Sequence, residues 1–397
     1  MSLRMIENSR AKSPGPYRLH EVLSHLGADT AFRLISACPR YAPTPLRSLD
    51  RAAATAGVGT IWYKDESGRF GIGSFKALGG AYAVARLLQR RLSAALGREV
   101  SIAELAHGGL GTVTQKITLT CATDGNHGRS VAAAAEVFHC RAAIFLHRDV
   151  SIGRESAIRA FGAEILRVDG DYDVSVRAAS RAAEENGWEI VSDTSWPGYR
   201  DVPRDVMQGY TVMLIETLQQ LAAVRAAPLT HVFVQGGVGG LAAAVTAHLW
   251  EAAGSEAPIV TVVEPERADC LFQSALKGRP ERASGDLSTI MAGLSCGEVS
   301  IEAWRILENG ARFFITIDDA PAIAAMRLLA HRGAAALPIV AGESATAGLA
   351  ALLEVSKDPK LRQELALDAG ANVLLIGSEG ATDPVLYREL VGEPAQA

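Results

Sequence analysis

The hydrophobic pattern between residues 117 and 192 changes repeatedly between two periods. Short apolar or β-branched runs predict strands, and apolar positions at helical spacing predict helices. The predicted strands are residues 117–122, 141–146, 163–168 and 188–192, and the predicted helices between them are residues 128–139, 151–161 and 172–186. Strands and helices that alternate with short connections are typical of a parallel sheet covered by helices on both faces.

A similar pattern occupies the second half of the chain. Strands are predicted at residues 230–235, 259–263, 312–317 and 372–376, and helices at 240–250, 320–332 and 345–354. We therefore predict an α/β fold of two domains, each with a helix-covered, mostly parallel sheet. The larger domain is predicted to contain residues 1–88 and 205–397, and the smaller one residues 89–204.

Two segments have no clear periodicity. Residues up to about 40 include the run Ser13-Pro14-Gly15-Pro16 and predict an extended arm that packs on the protein or on a dimer partner. Residues 105–115 are rich in glycine and predict a loop.

Composition excludes several classes of function. The 397 residues suit two domains with substantial cores, and the net charge of -5 gives no basic surface for nucleic acid. No apolar run is long enough to span a membrane, and the first ten residues lack the apolar core of a signal peptide. We expect a cytoplasmic protein with a small-molecule substrate, without nucleic-acid or membrane partners.

The cysteines predict no metal site. The five are scattered along the chain and form no CxxC pair, which is typical of reduced thiols in a large intracellular enzyme. Whether Cys270 and Cys296 pair stays open at this point.

Lys76 is the first candidate for chemistry. A glycine-rich loop precedes it and an Ala/Leu-rich helical segment follows it, so the loop delivers this lysine to the start of a helix. Near the positive end of the helix dipole the pKa of Lys76 is expected to fall, which makes the amine a better nucleophile toward a carbonyl. Taken alone, a lysine is more often a solvated surface residue. Lys64 is the nearby alternative.

A second candidate is the loop Gly236-Gly237-Val238-Gly239-Gly240. A strand, four glycines in five positions and then a helix form an anion site, because backbone N–H groups and the helix dipole favour a phosphate. Together with Glu264 the loop also fits a dinucleotide fingerprint. That alternative leaves Lys76 unused, whereas a phosphate site facing a nucleophilic lysine suits pyridoxal 5′-phosphate (PLP), which has both a phosphate and an aldehyde.

The order of four motifs resembles that in the tryptophan-synthase-β-like PLP enzymes. The motifs are Ser74-Phe75-Lys76, residues 124–128, residues 236–240 and residues 377–380. Within that superfamily, nearly the whole chain beyond residue 40 is most similar to the diaminopropionate ammonia-lyases, particularly residues 64–67, 69–71, 122–129, 193–196 and 342–344. Gly79-Gly80 and Asp124 depart from the pattern of the hydroxyamino-acid dehydratases.

The resemblance implies a role for each matching residue. Lys76 is expected to hold PLP, Asn126 to hydrogen-bond its phenolic oxygen and Ser378 its pyridine nitrogen. Glu343 is expected either to flank the cofactor ring or to cap the helix that follows. The phosphate is expected to bind to Gly236, Gly237, Val238, Gly239 and Gly240. The substrate carboxylate is expected to bind to Thr123, Asp124, Gly125, Asn126 and His127. The reaction implied is α,β-elimination of ammonia from 2,3-diaminopropionate by a homodimer.

Asp124 and Asp193 are the predicted acid–base groups. Beside a substrate carboxylate, Asp124 would repel an ordinary amino acid by on the order of 1 kcal/mol or more, but would favour a substrate with a second, cationic amine. Two acids on opposite faces of the α-carbon would permit reaction of both D- and L-substrates. Either aspartate could instead be only a turn former or helix cap. A serine or threonine dehydratase, a β-replacement synthase and a non-catalytic PLP or amino-acid-binding module remain alternatives.

Overall fold

The computed structural model describes residues 3–12, 15–123, 125–170 and 172–395. Its strands are β1 (Arg4–Glu7), β2 (Leu46–Ser48), β3 (Thr60–Asp65), β4 (Thr118–Ala122), β5 (Arg141–His147), β6 (Glu164–Val168), β7 (Glu189–Ile190), β8 (His231–Gln235), β9 (Ile259–Pro265), β10 (Phe313–Ile317) and β11 (Asn372–Gly377). Its α-helices are α1 (His25–Ser36), α2 (Asp50–Ala56), α3 (Lys76–Leu96), α4 (Ile102–Ala106), α5 (Gly111–Thr114), α6 (Asn126–Val137), α7 (Ile152–Arg159), α8 (Tyr172–Asn186), α9 (Asp201–Ala223), α10 (Gly240–Ala253), α11 (Cys270–Lys277), α12 (Ile301–Gly310), α13 (Asp319–Ala330), α14 (Ala347–Ser356), α15 (Pro359–Glu364) and α16 (Pro384–Val391).

The larger of two sheets has seven strands in the order β1-β10-β9-β8-β11-β3-β2. The five inner strands are parallel, and the edge strands β1 and β2 are antiparallel to their neighbours. In the centre of this sheet Leu374 pairs with both Trp62 and Val232. All five residues of β8 are buried, as expected for a parallel strand covered on both faces. We call this sheet and the helices packed on it the large lobe.

The smaller sheet has four parallel strands in the order β6-β5-β4-β7. Helices α6, α7 and α8 pack against it, and we call the sheet and these helices the small lobe. The prediction of two helix-covered, mostly parallel sheets is therefore confirmed. No helix among the described residues is both long and apolar enough to cross a membrane.

The prediction of an extended arm up to residue 40 was wrong. Residues 4–7 form β1, which pairs with β10, and residues 25–36 form α1, which packs on α9. The side chain of Ser24 caps α1 by accepting a hydrogen bond from the Gly27 N–H. The predicted loop at 105–115 likewise contains the short helix α5 and the end of α4. β1, α4 and α5 are too short for their periodicity to be recognised, whereas α1, with 12 residues, was long enough and was missed.

Two adjacent glycines set the position of α3 between the lobes. A Cβ at Gly79 would lie 2.8 Å from the carbonyl oxygen of Val206 and would overlap the Tyr210 ring on α9. A Cβ at Gly80 would overlap Ser130 on α6. Glycine in a helix costs about 1 kcal/mol relative to alanine, but here it lets α3 approach both neighbours closely. The predicted domain boundary at residue 88 lies inside this helix, and the boundaries stay a prediction.

Candidate active site

A cleft opens at the carboxyl ends of β4, β8 and β11, with an empty volume of about 920 Å³. Loops that follow the carboxyl ends of parallel strands are the usual place for a ligand in α/β folds. Most of the predicted site residues line this cleft: Lys76, Thr123, Gly125, Asn126, His127, Asp193, Gly237, Val238, Gly239, Gly240 and Ser378. Asp124 lies outside the described residues.

Lys76 begins α3, and its Nζ lies 2.5 Å from Oδ2 of Asp193. Burial by itself lowers the pKa of Lys76, but the Asp193 carboxylate outweighs that effect, and the pKa is raised. The expectation of a lowered pKa was therefore wrong, because a carboxylate in contact acts more strongly than the helix dipole. Burial alone would raise the pKa of Asp193, but the positive charge of Lys76 outweighs that effect, and the pKa is lowered.

Lys64 cannot take over the role of Lys76 in this geometry. Its ammonium is fully buried and donates to Glu216 at 2.7 Å, to the Thr44 carbonyl at 2.8 Å and to Gln220 at 3.0 Å. These three bonds use its three protons. Glu216 also accepts from Arg69, which pairs with Glu66 as well, so two cations meet two carboxylates in this buried cluster.

The glycine loop leads from β8 into α10, and most of it faces the cleft. Gly239 has a φ of 100° and forms the N-terminal cap of α10, a conformation that favours glycine. Gly236 departs from the prediction. Its N–H donates to the Val263 carbonyl at 2.8 Å, so it continues the strand pairing and is not available to a phosphate. Leu241, which the sequence analysis did not include, lines the cleft.

The loop before α6 is folded around the side chain of Thr123. Its Oγ1 accepts hydrogen bonds from the N–H groups of Gly125 at 3.0 Å and Gly128 at 3.1 Å. Gly125 has a φ of 149°, and a Cβ at Gly128 would lie 2.9 Å from Ile144. Gly125 is therefore required by its backbone conformation, and Gly128 by the side chains that pack closely against it. The result is a helix N-terminus that points into the cleft, a suitable place for a carboxylate.

His127 packs beneath this loop and faces Asp193. Its Nε2 lies 2.7 Å from the Val191 carbonyl, and its Nδ1 lies 3.9 Å from Oδ2 of Asp193. Burial lowers the pKa of His127, which keeps the ring neutral at pH 7. Because a carbonyl oxygen only accepts, Nε2 holds the proton and Nδ1 is left as an acceptor.

Ser378 follows β11 and is well placed to donate a hydrogen bond into the cleft. The Nε2 of Gln235 lies 3.4 Å from the Ser378 Oγ and donates to it, so the hydroxyl proton is left for a second partner. Its neighbour Glu379 also lines the cleft and accepts a hydrogen bond from the Nδ2 of Asn126. Asn126 and Ser378 thus approach the same region from opposite lobes.

Glu343 does not lie on the wall of the cleft. Its carboxylate is buried and accepts from the Nη2 of Arg154 at 2.5 Å, and it caps no helix. Burial, with the nearby charge of Glu379, raises the pKa of Glu343 to about 7. Neither of the two roles expected for Glu343 matches this position.

Several residues that line the cleft were not found from the sequence. They are Arg154, Tyr172, Tyr210, Cys296 and Glu379. Tyr172 follows the carboxyl end of β6 after a short loop, a position that the general rule for parallel sheets would have identified. The others reach the cleft through the packing of distant segments, which no local sequence pattern predicts. The cysteines are all present as thiols.

The comparisons with known proteins agree with this geometry. The family model of pyridoxal-phosphate dependent enzymes matches residues 38–379. The chain is 40% identical to the diaminopropionate ammonia-lyase of Salmonella typhimurium over 364 residues, which are 89% of each chain. It is 41% identical to that of Escherichia coli K12 over 360 residues, covering 90% of this chain and 89% of the relative.

The chain belongs to the diaminopropionate ammonia-lyase family.

A crystal structure of the Escherichia coli diaminopropionate ammonia-lyase in complex with D-serine superposes with a TM-score of 0.90, at 36% identity over 98% of this chain and 97% of that one. These matches confirm the predicted family, fold and enzyme class. They also confirm PLP as the cofactor. The described residues fit that group. They present a glycine-rich helix N-terminus for the phosphate, a half-buried lysine for the aldehyde and a serine hydroxyl whose proton is available to the cofactor. Among the described residues, no cluster of His, Cys, Asp and Glu is arranged to hold a metal ion.

Proposed function

We propose that this protein eliminates ammonia from D- and L-2,3-diaminopropionate and releases pyruvate and two molecules of ammonia. The observation that carries the proposal is the contact between Lys76 and Asp193 at 2.5 Å, in a cleft that the glycine loop also lines. The identity of 40% to an ammonia-lyase over most of the chain supports it.

The cofactor would be held from both lobes. Lys76 would bind its aldehyde carbon, and the N–H groups of residues 237–240 at the start of α10 would bind its phosphate. Ser378 would donate to the pyridine nitrogen and Asn126 to the phenolic oxygen. When bound, PLP supplies the electron sink that stabilises negative charge at the α-carbon of the substrate.

The substrate carboxylate would bind at the N-terminus of α6. The N–H groups of Gly125 and Gly128 donate to Thr123, so the carboxylate would bind those of Asn126 and His127. Holding the carboxylate at a fixed point leaves the α-carbon and the β-amine directed toward the acids of the cleft. Orientation of this kind removes much of the entropic part of a reaction barrier.

Asp193 is the proposed proton carrier on one side of the substrate. With Lys76 bound to the cofactor, the Oδ2 of Asp193 would be available to accept the α-proton. The unprotonated Nδ1 of His127, 3.9 Å away, would face the carboxyl group as an acceptor once Asp193 has taken the proton. We propose Asp124 for the other side, where its charge would also favour a cationic β-amine over a neutral hydroxyl.

The test is pyruvate release by the PLP-loaded protein. D- and L-2,3-diaminopropionate, serine and threonine are compared side by side, with 2-oxobutyrate followed for threonine. Turnover of the diamino acids far above the hydroxyamino acids is the expected result. Faster turnover of serine or threonine would identify a dehydratase, and silence on all four would identify a β-replacement enzyme or a binding module.

We further propose that the protein is a cytoplasmic homodimer. The resemblance to enzymes that are usually dimeric supports the assembly, and the composition supports the compartment. Light scattering on the purified protein tests the first statement, because the dimer has twice the mass of the 41.9 kDa chain.

A further inference from the structure

The two lobes contact each other along one rim of the cleft through three polar pairs. The Ser151 Oγ donates to Oδ2 of Asp383 at 2.7 Å. The Nη2 of Arg154 donates to Oε1 of Glu343 at 2.5 Å, and Asn126 donates to Glu379. In each pair the small lobe supplies the donor and the large lobe supplies a carboxylate. We call these three pairs the rim contacts.

The first pair joins the N-terminal ends of two helices. The Ser151 Oγ accepts from the Arg154 N–H and so caps α7, while Oδ1 of Asp383 accepts from the Leu386 N–H and caps α16. Ser151 therefore accepts a hydrogen bond from its own helix and donates one to the cap of the other. The Asp383 carboxylate lies between two positive helix ends, which stabilise its charge.

The second pair connects the substrate loop to the large lobe. Arg154 lies in the first turn of α7, and its Cδ would be 3.2 Å from a Cβ at Gly125. Its guanidinium continues past this loop to the Glu343 carboxylate, whose side chain is 2% exposed. Arg154 thus packs on Gly125 with its aliphatic part and bonds the opposite lobe with its charge.

The carboxylates of the rim contacts favour closure of the cleft. Glu343, Glu379 and Asp383 lie near one another on the large lobe, and the charges of the other two oppose ionisation of Glu343. Arg154 is the small lobe's cation in contact with this group. Separation of the lobes would remove that cation and break its bond to Glu343.

We propose that Arg154 and Ser151 are positioning residues, which hold the substrate loop of residues 123–128 against the large lobe in the geometry required for elimination. Neither residue is needed for the chemistry itself. The effect of these residues on turnover rests on the proposed function, whereas their effect on the contact between the lobes does not.

The first test separates the contact between the lobes from helix capping. In Ser151→Asp the new carboxylate still caps α7, since aspartate is as good a cap as serine, but it repels Asp383. Ser101→Asp is the matched control, because the Ser101 Oγ caps α4 in the same way, through the Glu104 N–H. Hydrogen exchange followed by mass spectrometry is measured on both variants and the wild type.

We expect exchange in residues 384–391 of the opposite lobe to be about three- to tenfold faster in Ser151→Asp, the range for loss of one hydrogen bond. Ser101→Asp should leave that segment unchanged. An unchanged α16 in Ser151→Asp would overturn the proposal. This readout needs no substrate, so it stands even if the protein proves inactive on diaminopropionate.

The second test is a double-mutant cycle on the charged pair. Arg154→Gln and Glu343→Gln each remove the same bond between the lobes, and each should lower kcat about tenfold with little change in KM. The double variant should be no worse than either single variant, and Arg154→Lys should retain part of the activity. A raised KM in Arg154→Gln that Glu343→Gln does not share would mean that Arg154 binds the substrate carboxylate directly and would overturn the positioning role.

Discussion

The ammonium of Lys76 and the carboxylate of Asp193 form an ion pair of 2.5 Å within the cleft. Their exposed fractions are 19% and 13%, so water screens the pair weakly. Each group holds the other in its charged form. Lys76 must nevertheless lose a proton before it can attack an aldehyde, because only the neutral amine is a nucleophile. Cofactor loading and Asp193 are therefore coupled.

Asp193→Asn should accelerate the loading of PLP at neutral pH while it slows turnover. Without the carboxylate, burial lowers the pKa of Lys76, and only the smaller effects of Tyr210 and Cys296 oppose it. Each unit by which the pKa falls raises the fraction of neutral amine about tenfold, at a pH well below the pKa. The measurement is the rate at which visible absorbance of lysine-bound PLP appears in the cofactor-free protein, recorded from pH 6 to pH 9.

The wild-type rate should still be rising at the upper end of that range, and the variant rate should level off at a lower pH. Asp149→Asn serves as the control, since the Asp149 side chain is 74% exposed. Identical pH profiles for Asp193→Asn and the wild type would show that the ion pair does not govern loading.

Lys76→Ala should abolish covalent attachment of the cofactor. The variant is expected to fold, because the Lys76 side chain packs in an open cleft, but to lose PLP on desalting. Absorbance after gel filtration measures retention, and Lys116→Ala, at an exposed position, is the matched control. A visible band that survives in Lys76→Ala would move the attachment to another lysine, and Lys64 would then have to leave its buried cluster.

The two proposed acids should differ in the enantiomer that they serve. If Asp124 and Asp193 act on opposite faces of the α-carbon, Asp124→Asn and Asp193→Asn should impair different enantiomers of 2,3-diaminopropionate. Loss of a positioned acid or base lowers turnover by about 10²- to 10⁴-fold. The kcat/KM of each variant is measured on the D- and L-forms separately. Equal losses on both forms in both variants would eliminate the two-base mechanism.

Local signals in the sequence were sufficient for the residues that make up the centre of the cleft. Lys76 after a glycine loop and Gly237–Gly240 before α10 are each contiguous with the element that positions them. A helix N-terminus and a positive φ are decided by neighbouring residues, so a short stretch of sequence reveals them.

Contacts between distant segments were not predictable in this way. Glu343 meets Arg154 across 189 positions, and Lys76 meets Asp193 across 117. The sequence analysis placed both carboxylates near the site but missed their partners, and hence the direction of the Lys76 pKa shift. β1 was missed for a related reason, since residues 4–7 become a strand only through pairing with β10.

Gly79→Ala should destabilise the protein and displace Lys76. A methyl group there would lie 2.8 Å from the Val206 carbonyl, and a backbone carbonyl on α9 cannot move aside alone. Overpacking of this kind costs about 1–3 kcal/mol, which exceeds the roughly 1 kcal/mol that alanine gains over glycine in a helix. Urea denaturation measures the free energy of unfolding.

Gly153→Ala is the matched control, because Gly153 is also helical and a Cβ there would meet Asp383 at an ordinary 3.8 Å. It should be neutral or slightly stabilising. If both substitutions have the same effect, the approach of α3 to α9 is not limited by Gly79. PLP retention, measured on folded Gly79→Ala, reports the displacement of Lys76.

Glu343 should make the stability of the protein depend on pH. Burial and the charge of Glu379 raise its pKa to about 7 in the folded chain, from the ordinary value of 4.5 expected in the unfolded chain. Between these values the folded state binds more protons than the unfolded state, so the contribution of Glu343 to stability falls as pH rises from about 4.5 to about 7. The full difference corresponds to about 3 kcal/mol.

Glu343→Gln removes this titration. Relative to the wild type, the variant should therefore become progressively more stable as the pH rises from 5 to 8, even if the loss of the Arg154 contact lowers its stability at every pH. The measurement is the difference in urea midpoint between the two proteins at each pH, with Glu256→Gln at an exposed position as the control. A difference that does not change with pH would mean that Glu343 titrates alike in the folded and unfolded chains. Arg154, whose guanidinium lies 2.5 Å from the Glu343 carboxylate, would then have to offset fully the rise in pKa caused by burial and by Glu379.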